Sequence, residues 1–445
     1  MKKYLSWACL ILNFLVIVGF WYWNTSHSAM GNLLTSDQAS RLLALGRLAG
    51  LLAAGALLLQ LVLIGRVHWL ESVFGLDRLS RFHHFNGLLI PVFLLLHGIL
   101  ILDAYSMQYE TPWLAEVKDL IQNWEDIPQA ITGFFVLIFV VVISVGAARR
   151  KMKYEVWYYI HLSTYIAIVL AFGHQLKLGG DFLENKVFTG YWYALYLFVF
   201  GNLLLYRVLR PLYRFGRHRF CVERVERETD DVTSVYITGR AMDRLPIEAG
   251  QFMILRFLAP GFRFQAHPFS MSCVPDGKHL RVSIKRLGDY TRQIPNLPSG
   301  TPVLIDGPHG VFTARHCRGA KALLITGGIG ITPIRPVAEV LAGEGKDVVL
   351  LYGNRTRKDI VFEKELAALE SKGRVAIHHV FSAEEPGWTG AKGYVDLACI
   401  EHFAPDFRER DVFLCGPPVM MKKLVKALRG EGMPRSRLHY ERFAL

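Results

Sequence analysis

The sequence predicts a membrane α-helical bundle of six spans, followed by an antiparallel β-barrel and then by a doubly wound α/β domain. The long apolar runs lie almost entirely before about residue 210. From about 214 to 316, short β-rich runs are separated by turn residues, which is typical of a small barrel. Beyond that point strands alternate with helices, which predicts a parallel sheet. We therefore expect three domains, at 1–213, 214–316 and 317–445.

The composition narrows the class of protein. The chain has 445 residues, 52% of them hydrophobic, and a formal charge of +13. Such a basic balance fits either nucleic-acid binding or a membrane protein whose cations gather on the cytoplasmic side. The six cysteines lack CxxC spacing, which argues against a disulfide framework or a zinc site.

Six apolar runs reach the roughly 20 residues that a helix needs to cross a bilayer. The first run could instead be a signal peptide, because Lys2 and Lys3 precede it and small residues follow near Ser28. Its length and its Trp21-Tyr22-Trp23 belt favour a retained span. The predicted spans are about 5–23, 42–65, 84–102, 130–148, 157–176 and 188–209.

Cationic side chains are unevenly shared between the two sets of connections. The positive-inside rule places the basic set in the cytoplasm, so both termini are expected there in a multi-pass protein of the cell (inner) membrane. This explains the net charge without a nucleic-acid partner. The opposite set includes an acidic segment at 103–126. The basic set is Lys2, Lys3, Arg66, Arg78, Arg81, Arg149, Arg150, Lys151, Lys153, Arg207, Arg210, Arg214, Arg217 and Arg219; the opposite set is Arg41, Lys118, Lys177 and Lys186.

Two of the spans each carry two histidines at similar spacing. His83 and His97 lie on span three, and His161 and His174 lie on span five, which runs in the same direction. Ionisable side chains inside a membrane are costly and indicate a functional site, and imidazole is a common haem ligand. The alternative is that these are interfacial or packing histidines. A metal site bridged by carboxylates is disfavoured, since neither span contains Asp or Glu.

The helical phase of the two pairs differs. A spacing of 14 residues, as in span three, nearly returns to the same helix face, whereas the 13 residues of span five do not. Span five therefore needs a bend, a local bulge or different approaches of its two imidazole rings for both histidines to meet those of span three. His84 is a weaker candidate than its neighbour His83.

The segments GLDRLSRFHHFNG…LLLHG and YEVWYYIH…GH resemble the transmembrane domain of the ferric reductase and NADPH oxidase family. The resemblance implies two b-type haems, an inner one held by His83 and His161 and an outer one held by His97 and His174. In animal oxidases a further histidine, associated with oxygen reduction, follows one turn later. Ile101 occupies that position here, which weakens the expectation that oxygen is the acceptor.

The segment ALGRLAG resembles the family's start of span two. The resemblance implies that Arg47 contacts an outer-haem propionate or lines the acceptor site. The alternative is an arginine that snorkels to the outer headgroups.

The segment HPFSMSC at 267–273 resembles the flavin-binding signature of the ferredoxin-NADP reductase superfamily, and KRLGDYT at 285–291 resembles its partner segment. The resemblance implies FAD as a cofactor and places Ser270 near the flavin N5 atom. It implies further contacts from His267, Pro268 and Phe269 to the ring pocket, and from Lys285 and Thr291 to the pyrophosphate.

The segment LLITGGIGITPI is a strand that ends in glycines and leads into a helix. Such a turn lets backbone N–H groups approach a pyrophosphate at the helix N-terminus. It is not the GxGxxG fingerprint, but it resembles the nicotinamide domain of the same superfamily. The nucleotide-binding residues implied are Gly327, Gly328, Gly330, Thr332 and Pro333.

Two further segments resemble parts of the same superfamily. CGPPVMM implies that Cys415, Gly416 and Pro417 border the nicotinamide, although Cys415 could be an ordinary buried cysteine at a strand end. The terminal HYERFAL implies an aromatic ring stacked on the flavin face, for which Phe443 is preferred to Tyr440. Ser270, Cys415 and Phe443 are thus the candidate catalytic residues.

The segment GNRTRKDI follows the strand where the adenosine ribose is expected to bind. No acidic residue ends that strand to bind a free 2′-hydroxyl, whereas Arg355, Arg357 and Lys358 could meet a 2′-phosphate. The segment favours NADPH over NADH as the donor, with a solvated basic turn as the alternative.

These parts predict an NAD(P)H-dependent transmembrane oxidoreductase. Electrons would pass from NAD(P)H to FAD, then to the inner haem and the outer haem, and finally to an acceptor on the outer face. The acceptor could be oxygen or a ferric chelate. The alternative is an electron-donor module whose acidic 103–126 segment docks a periplasmic redox partner.

Overall fold

The computed structural model describes residues 2–27, 36–146, 151–178, 180–181 and 185–441. The chain divides into two compact units. The first comprises Met1–Val67 and Arg78–Leu205, and the second comprises His68–Asp77 and Tyr206–Leu445.

Within the described residues, six helical segments are long and apolar enough to cross a membrane, as the sequence predicts. They are Tyr4–His27, Gln38–Ile64, Leu76–Tyr109, Ile127–Ser144, Tyr154–Gln175 and Lys186–His218. The predicted fold class is confirmed, since these helices precede an antiparallel β domain and a parallel α/β domain. The helices of this region are α1 (Lys2–His27), α2 (Gln38–Ile64), α3 (His68–Phe74), α4 (Leu76–Tyr109), α5 (Trp113–Asn123), α6 (Ile127–Ser144), α7 (Tyr154–His161), α8 (Thr164–Leu178), α9 (Lys186–Leu203) and α10 (Arg210–His218), with a π-helical turn at Leu204–Leu209.

The fifth span is broken directly after His161. Helix α7 ends there, and α8 begins at Thr164. The hydroxyl of Ser163 donates to the carbonyl of Ile160 at 2.7 Å, and that of Thr164 donates to the carbonyl of His161 at 2.9 Å. These bonds satisfy carbonyls that an uninterrupted helix would pair with backbone N–H groups. An interruption of the helix is one of the predicted ways to accommodate the 13-residue spacing.

Helix α1 packs against α2 and α9 in the first unit. The indole of Trp21 donates to the carbonyl of Ala44 at 2.8 Å, and the hydroxyl of Tyr191 donates to the side chain of Asn13 at 2.6 Å. The shared core includes Ile17, Leu51, Ala54, Phe188 and Trp192, all of them buried.

The second unit begins with six antiparallel strands in two sheets. The sheet orders are β1-β2-β5 and β4-β3-β6. Bridges between Cys221 and Pro302 and between Met271 and Val282 join the sheets, so that they enclose one apolar core like the predicted barrel. The strands are β1 (Cys221–Arg227), β2 (Val232–Thr238), β3 (Phe252–Phe257), β4 (His267–Ser270), β5 (Leu280–Lys285) and β6 (Val303–His309), with helix α11 at Asp289–Gln293.

A parallel sheet of order β10-β9-β8-β7-β11-β12 follows, with helices alternating along the chain. All of β11 and all of β7 after its first residue Lys321 are buried, as expected for parallel strands with both faces of the sheet covered. The strands are β7 (Lys321–Gly327), β8 (Asp347–Asn354), β9 (Val375–Phe381), β10 (Ala391–Lys392), β11 (Asp411–Cys415) and β12 (Leu438–Tyr440); the helices are α12 (Ile331–Gly343), α13 (Glu363–Glu370), α14 (Leu397–Phe403) and α15 (Pro418–Gly430).

The short segment His68–Asp77, between the second and third spans, belongs to the second unit. Leu76 packs on Phe252 and Ile254 of β3. A carboxylate oxygen of the buried Glu71 accepts a hydrogen bond from the backbone N–H of Gly310 at 2.6 Å. Sequence order alone would leave this segment with the membrane helices.

Candidate cofactor sites

The structure brings the four predicted histidines together as two pairs. The ring centroids of His83 and His161 are 6.0 Å apart, and those of His97 and His174 are 6.3 Å apart. A metal–imidazole bond of ~2.0 Å on each side, plus about 1.1 Å from each ligand nitrogen to its ring centre, gives a centroid separation of about 6 Å. Both pairs therefore fit an iron with two axial imidazoles. His84, by contrast, is exposed.

The second nitrogen of each ring also has a suitable partner. A ring N–H that donates to a carbonyl fixes the tautomer and leaves the other nitrogen free to bind a metal. Nδ1 faces a backbone carbonyl in three of the four rings, so that Nε2 remains for iron. The distances are 3.3 Å from His83 to Gln60, 2.8 Å from His97 to Gly46 and 2.8 Å from His174 to Ala171.

The fourth ring is held by a serine that the sequence analysis did not single out. Ser144, the last residue of α6, donates its hydroxyl proton to the carbonyl of Val140 at 2.6 Å. Its oxygen can therefore accept from His161 Nδ1 at 3.4 Å and from the indole of Trp157 at 3.1 Å. The Trp157 ring also stacks on the His161 ring, with a centroid distance of 5.1 Å.

A polar group of α2 and α4 surrounds His83. The side-chain amide of Gln60 donates to the His83 carbonyl at 2.8 Å, and the amide of Asn86 donates to Gln60 at 2.7 Å and to the Ala56 carbonyl at 2.8 Å. No sequence pattern indicates a role for Gln60 or Asn86, because isolated amides in apolar helices carry no spacing signal.

A cavity of about 470 Å³ adjoins the second histidine pair. Its wall is mainly apolar and includes His97, His174 and Arg47. Gly50 makes room for the ligand ring, because a Cβ there would lie 2.9 Å from His97. The guanidinium of Arg47 lies against Gly180.

Within the described part of the chain, no group of three or more His, Cys, Asp or Glu could hold a bare metal ion. The donor set thus fits haem better than a directly ligated ion.

The HPFS residues form the edge strand β4 of the barrel. Ser270 pairs with Phe252, and Pro268 pairs with Ile254. Proline is compatible with this position because an edge strand needs fewer backbone donors. All four residues, His267, Pro268, Phe269 and Ser270, are half-buried, and His267 lies 4.1 Å from the Tyr290 ring between centroids. The strand leaves one backbone edge and a partly open face for a planar ligand.

Lys285 and Thr291 both have local partners. Lys285 forms an ion pair with Asp231 at 3.1 Å. The hydroxyl of Thr291 accepts the backbone N–H groups of Leu287 at 2.8 Å and Gly288 at 2.9 Å. Their proposed contact with the pyrophosphate stays a prediction.

The glycine turn connects β7 with α12 at the carboxyl end of the parallel sheet. A Cβ on Gly330 would lie 2.5 Å from the carbonyl oxygen of Cys415, so only glycine allows this approach. Gly328 has φ +54 and open space where a Cβ would be. The hydroxyl of Thr332 donates to the Ile329 carbonyl at 2.9 Å and fixes the turn, while the following Pro333 is buried.

The Cys-Gly-Pro turn lies beside the glycine turn, because β11 pairs with β7. A Cβ on Gly327 would lie 3.0 Å from Pro417, and one on Gly416 would lie 3.1 Å from the Gly327 nitrogen. Cys415 is only 3% exposed, and its burial raises the pKa of the thiol. The thiol is therefore neutral and small rather than nucleophilic.

The basic turn after β8 is exposed at the same end of the sheet. Arg357 forms a surface ion pair with Glu363 at 3.2 Å. Arg355 and Lys358 are exposed and form no ion pair with any described residue. Phe443 lies outside the described residues, and its stacking on the flavin stays a prediction; Tyr440 ends strand β12 and is half-buried.

Three family models match successive parts of the chain. The ferric reductase-like transmembrane component matches residues 49–172, the FAD-binding domain matches 217–313, and the oxidoreductase NAD-binding domain matches 324–426.

The similar proteins include several reductases. A ferredoxin–NADP reductase of Sorangium cellulosum is 31% identical over 212 residues, which cover 44% of this chain and 85% of the relative. The glycine betaine monooxygenase reductase subunit of Pseudomonas aeruginosa is 30% identical over 237 residues, 51% of this chain and 64% of that protein's length. The chain thus spans less than two thirds of the latter. The structure of the ferredoxin reductase in carbazole 1,9a-dioxygenase is 26% identical over 50% of this chain and 68% of its own, with a TM-score of 0.45.

Proposed function

Because the chain belongs to the ferric reductase and NADPH oxidase-like oxidoreductases with a ferredoxin–NADP reductase-type module, we propose that it carries electrons across a membrane. The donor is NAD(P)H on the cytoplasmic side, and the acceptor lies on the outer face. The observation that supports this most directly is the pair of histidine sites on α4, α7 and α8, at 6.0 and 6.3 Å. When bound, FAD divides a two-electron hydride into single electrons, and two b-type haems carry these electrons through the apolar layer.

The chain's own residues bind and orient these groups. His83 and His161 would hold the inner haem, and His97 and His174 would hold the outer haem, each through Nε2. Apolar residues of the spans exclude water and ions from the path. In the second unit, the edge strand of the barrel would hold the flavin, and the adjacent glycine and Cys-Gly-Pro turns would hold NAD(P)H.

The orientation and the donor follow from the distribution of charge. Cations gather on the set of connections that includes the segment leading into the second unit, which favours an inner-membrane protein whose second unit is cytoplasmic. The exposed Arg355 supports NADPH over NADH, because a guanidinium can bind the 2′-phosphate in bidentate fashion.

The acceptor that we favour is a small molecule, a ferric chelate or oxygen, at the outer-haem cavity. The alternative is a periplasmic redox protein docked on the acidic 103–126 segment. Several of those carboxylates have partners within the first unit. Asp103 accepts from the Trp113 indole at 2.9 Å, Asp126 pairs with Lys177 at 2.9 Å, and Glu116 is buried beside Thr111. Fewer unpaired carboxylates are therefore left to form a docking surface. The positive charge of Arg47 in the cavity wall favours an anionic chelate as the acceptor.

The test is the variant His174→Leu compared with His84→Leu as a matched control. Purified wild-type protein should contain two low-spin haems per chain and should reduce a ferric chelate with NADPH. His174→Leu should lose one haem and chelate reduction, while NADPH still bleaches the FAD absorbance. His84→Leu should behave like wild type, because that side chain is exposed. A wild-type content of one haem or none, or equal losses in both variants, would contradict the proposal.

A further inference from the structure

A cluster of charged side chains joins the barrel to the α/β domain, away from the residues assigned above. The guanidinium of Arg281 on β5 forms a two-pronged contact with the carboxylate of Glu365 on α13, at 2.6 and 2.9 Å. Arg335 on α12 donates to the same carboxylate. Arg281 and Arg335 are both buried, at 5% and 8% exposure. One carboxylate thus joins a barrel strand to two helices of the nucleotide domain.

Each member of the cluster is also connected to a segment of the candidate cofactor sites. Arg281 donates to the carbonyl of Ser272 at 2.7 Å, two residues after Ser270 in the flavin segment. Arg335 lies on the helix that begins at the glycine turn. Glu365 lies on the helix that follows the basic turn. The cluster therefore connects the flavin segment with both nucleotide-binding turns.

An aromatic ring sets the positions of the two arginines. Phe362 is buried, and its ring lies 4.5 Å from the Arg281 guanidinium carbon and 5.7 Å from that of Arg335. Its backbone has φ +65, which is uncommon for a bulky residue and is held by the surrounding contacts. Guanidinium planes over an aromatic face are favourable, so their directions are restricted.

The cluster is close to neutral. Burial alone would raise the pKa of Glu365, but the hydrogen bonds from Arg281 and the charge of Arg335 hold it below its usual value. Glu339, one turn after Arg335, adds a second carboxylate at 3.2 Å. Two arginines and two glutamates balance in charge. Removal of Glu365 would take this carboxylate from the buried Arg281 and leave Arg335 paired with Glu339, and an uncompensated buried charge is costly.

We infer that Glu365 is a positioning residue for hydride transfer: by holding Arg281 and Arg335 together, it sets the distance between the flavin segment and the nicotinamide site. This inference rests on the proposed transfer of hydride from NADPH to FAD. Reacting atoms must approach to about 3–3.5 Å, and a misplacement of about 1 Å costs on the order of 100-fold in rate. The contacts of Glu365 with nucleotide are indirect, so its loss should slow transfer much more than it weakens binding.

The experiment is anaerobic stopped-flow reduction of the bound FAD at increasing NADPH concentration, which separates the rate constant of flavin reduction from Kd. Glu365→Ala should lower the rate constant by about 10- to 100-fold and change Kd by less than about threefold. The long-wavelength absorbance of the stacked nicotinamide–flavin pair should weaken as well. The control is Glu401→Gln, an exposed carboxylate in the same domain, which should match wild type.

Two milder variants cover the possibility that Glu365→Ala loses FAD or fails to fold. Glu365→Gln keeps the shape without the charge, and Arg281→Lys keeps the charge without the two-pronged contact. Both should show a reduced rate constant with nearly unchanged Kd. Wild-type rate constants in these two variants would overturn the inference, as would a change in Kd alone. If the wild type itself does not reduce FAD with NADPH, the proposed function fails instead, so the two failures are distinguishable.

Discussion

The substitution Gly330→Ala would place one methyl group in the closest backbone contact of the nucleotide site. Its Cβ would lie 2.5 Å from the Cys415 carbonyl oxygen, whereas ordinary contact begins at 3.4 Å, so the two turns must separate by about 0.9 Å. Both sides of the contact are backbone, and neither can rotate away. Overpacking of this kind typically costs about 1–3 kcal/mol. For a unit of this size that corresponds to a Tm lowered by about 2–12 °C.

The same displacement should weaken NADPH binding. The backbone N–H groups of the glycine turn move with it, and a loss of about 1.4 kcal/mol is a tenfold rise in Kd. We therefore expect a Kd for NADPH at least about tenfold higher, with haem content unchanged. The assays are NADPH titration of flavin reduction and thermal release of FAD fluorescence.

Gly343→Ala is the matched control, because Gly343 ends the same helix and has open space around its Cβ position. Alanine in a helix is favoured over glycine by about 0.5–1 kcal/mol, so this variant should be slightly more stable than wild type. Its NADPH affinity should not change. The reasoning is refuted if both variants shift Tm in the same direction, or if Gly330→Ala binds NADPH as wild type does.

Three further predictions follow from the other sites. Ser144→Ala removes the hydrogen-bond partner of His161 Nδ1 and should weaken retention of the inner haem by about 10- to 100-fold, measured as haem loss on dilution; unchanged retention would contradict the assignment. Replacing both Arg355 and Arg357 with alanine should raise KM for NADPH by about tenfold or more, since charge-assisted hydrogen bonds are worth ~1.5–3 kcal/mol each. The kinetics with NADH should hardly change. Equal effects on both nucleotides would mean that the turn is only a solvated surface. Burial raises the pKa of the Glu71 carboxyl above its ordinary 4.5, so the folded state binds the carboxyl proton more tightly than the unfolded state does. The wild type should therefore lose stability as the pH rises from about 4.5 through the raised pKa. Glu71→Gln should not show this loss and should be more stable than the wild type above that pH range, as measured by Tm against pH. If the Tm values of the two proteins changed with pH in parallel, the prediction would be wrong.

Much of the fold follows from patterns that are local in sequence. Span length, the alternation of strands and helices, and the glycine-rich turn depend on neighbouring residues, so the six spans and the fold class could be predicted. The 13-residue histidine spacing also indicated that span five departs from a straight helix or that its two rings approach differently, without deciding between a bend, a bulge and the ring approach. The position of that bend, between His161 and Thr164, depends on hydroxyl contacts that the spacing does not specify.

The remaining features depend on contacts between distant parts of the chain. Ser144 is one hydroxyl in an apolar span, and only the packing of α6 against α7 and α8 shows that it faces His161. Arg281 and Glu365 are 84 residues apart, and each alone reads as an ordinary surface charge. The segment around Glu71 lies between two membrane spans in sequence, yet it packs with the barrel. No local pattern carries such information.

The break in span five has a consequence for how such a protein can change over evolutionary time. An uninterrupted helix fixes the rotational phase of every side chain along it, so any insertion near one ligand would turn the other away from its partner. Here α7 carries His161 and α8 carries His174, and the two helices are separated by a two-residue turn. A change of length or tilt on one side of this turn can be absorbed there. On this span, the geometry of one proposed haem site can therefore change with less effect on the other, although one continuous chain supplies a histidine to each.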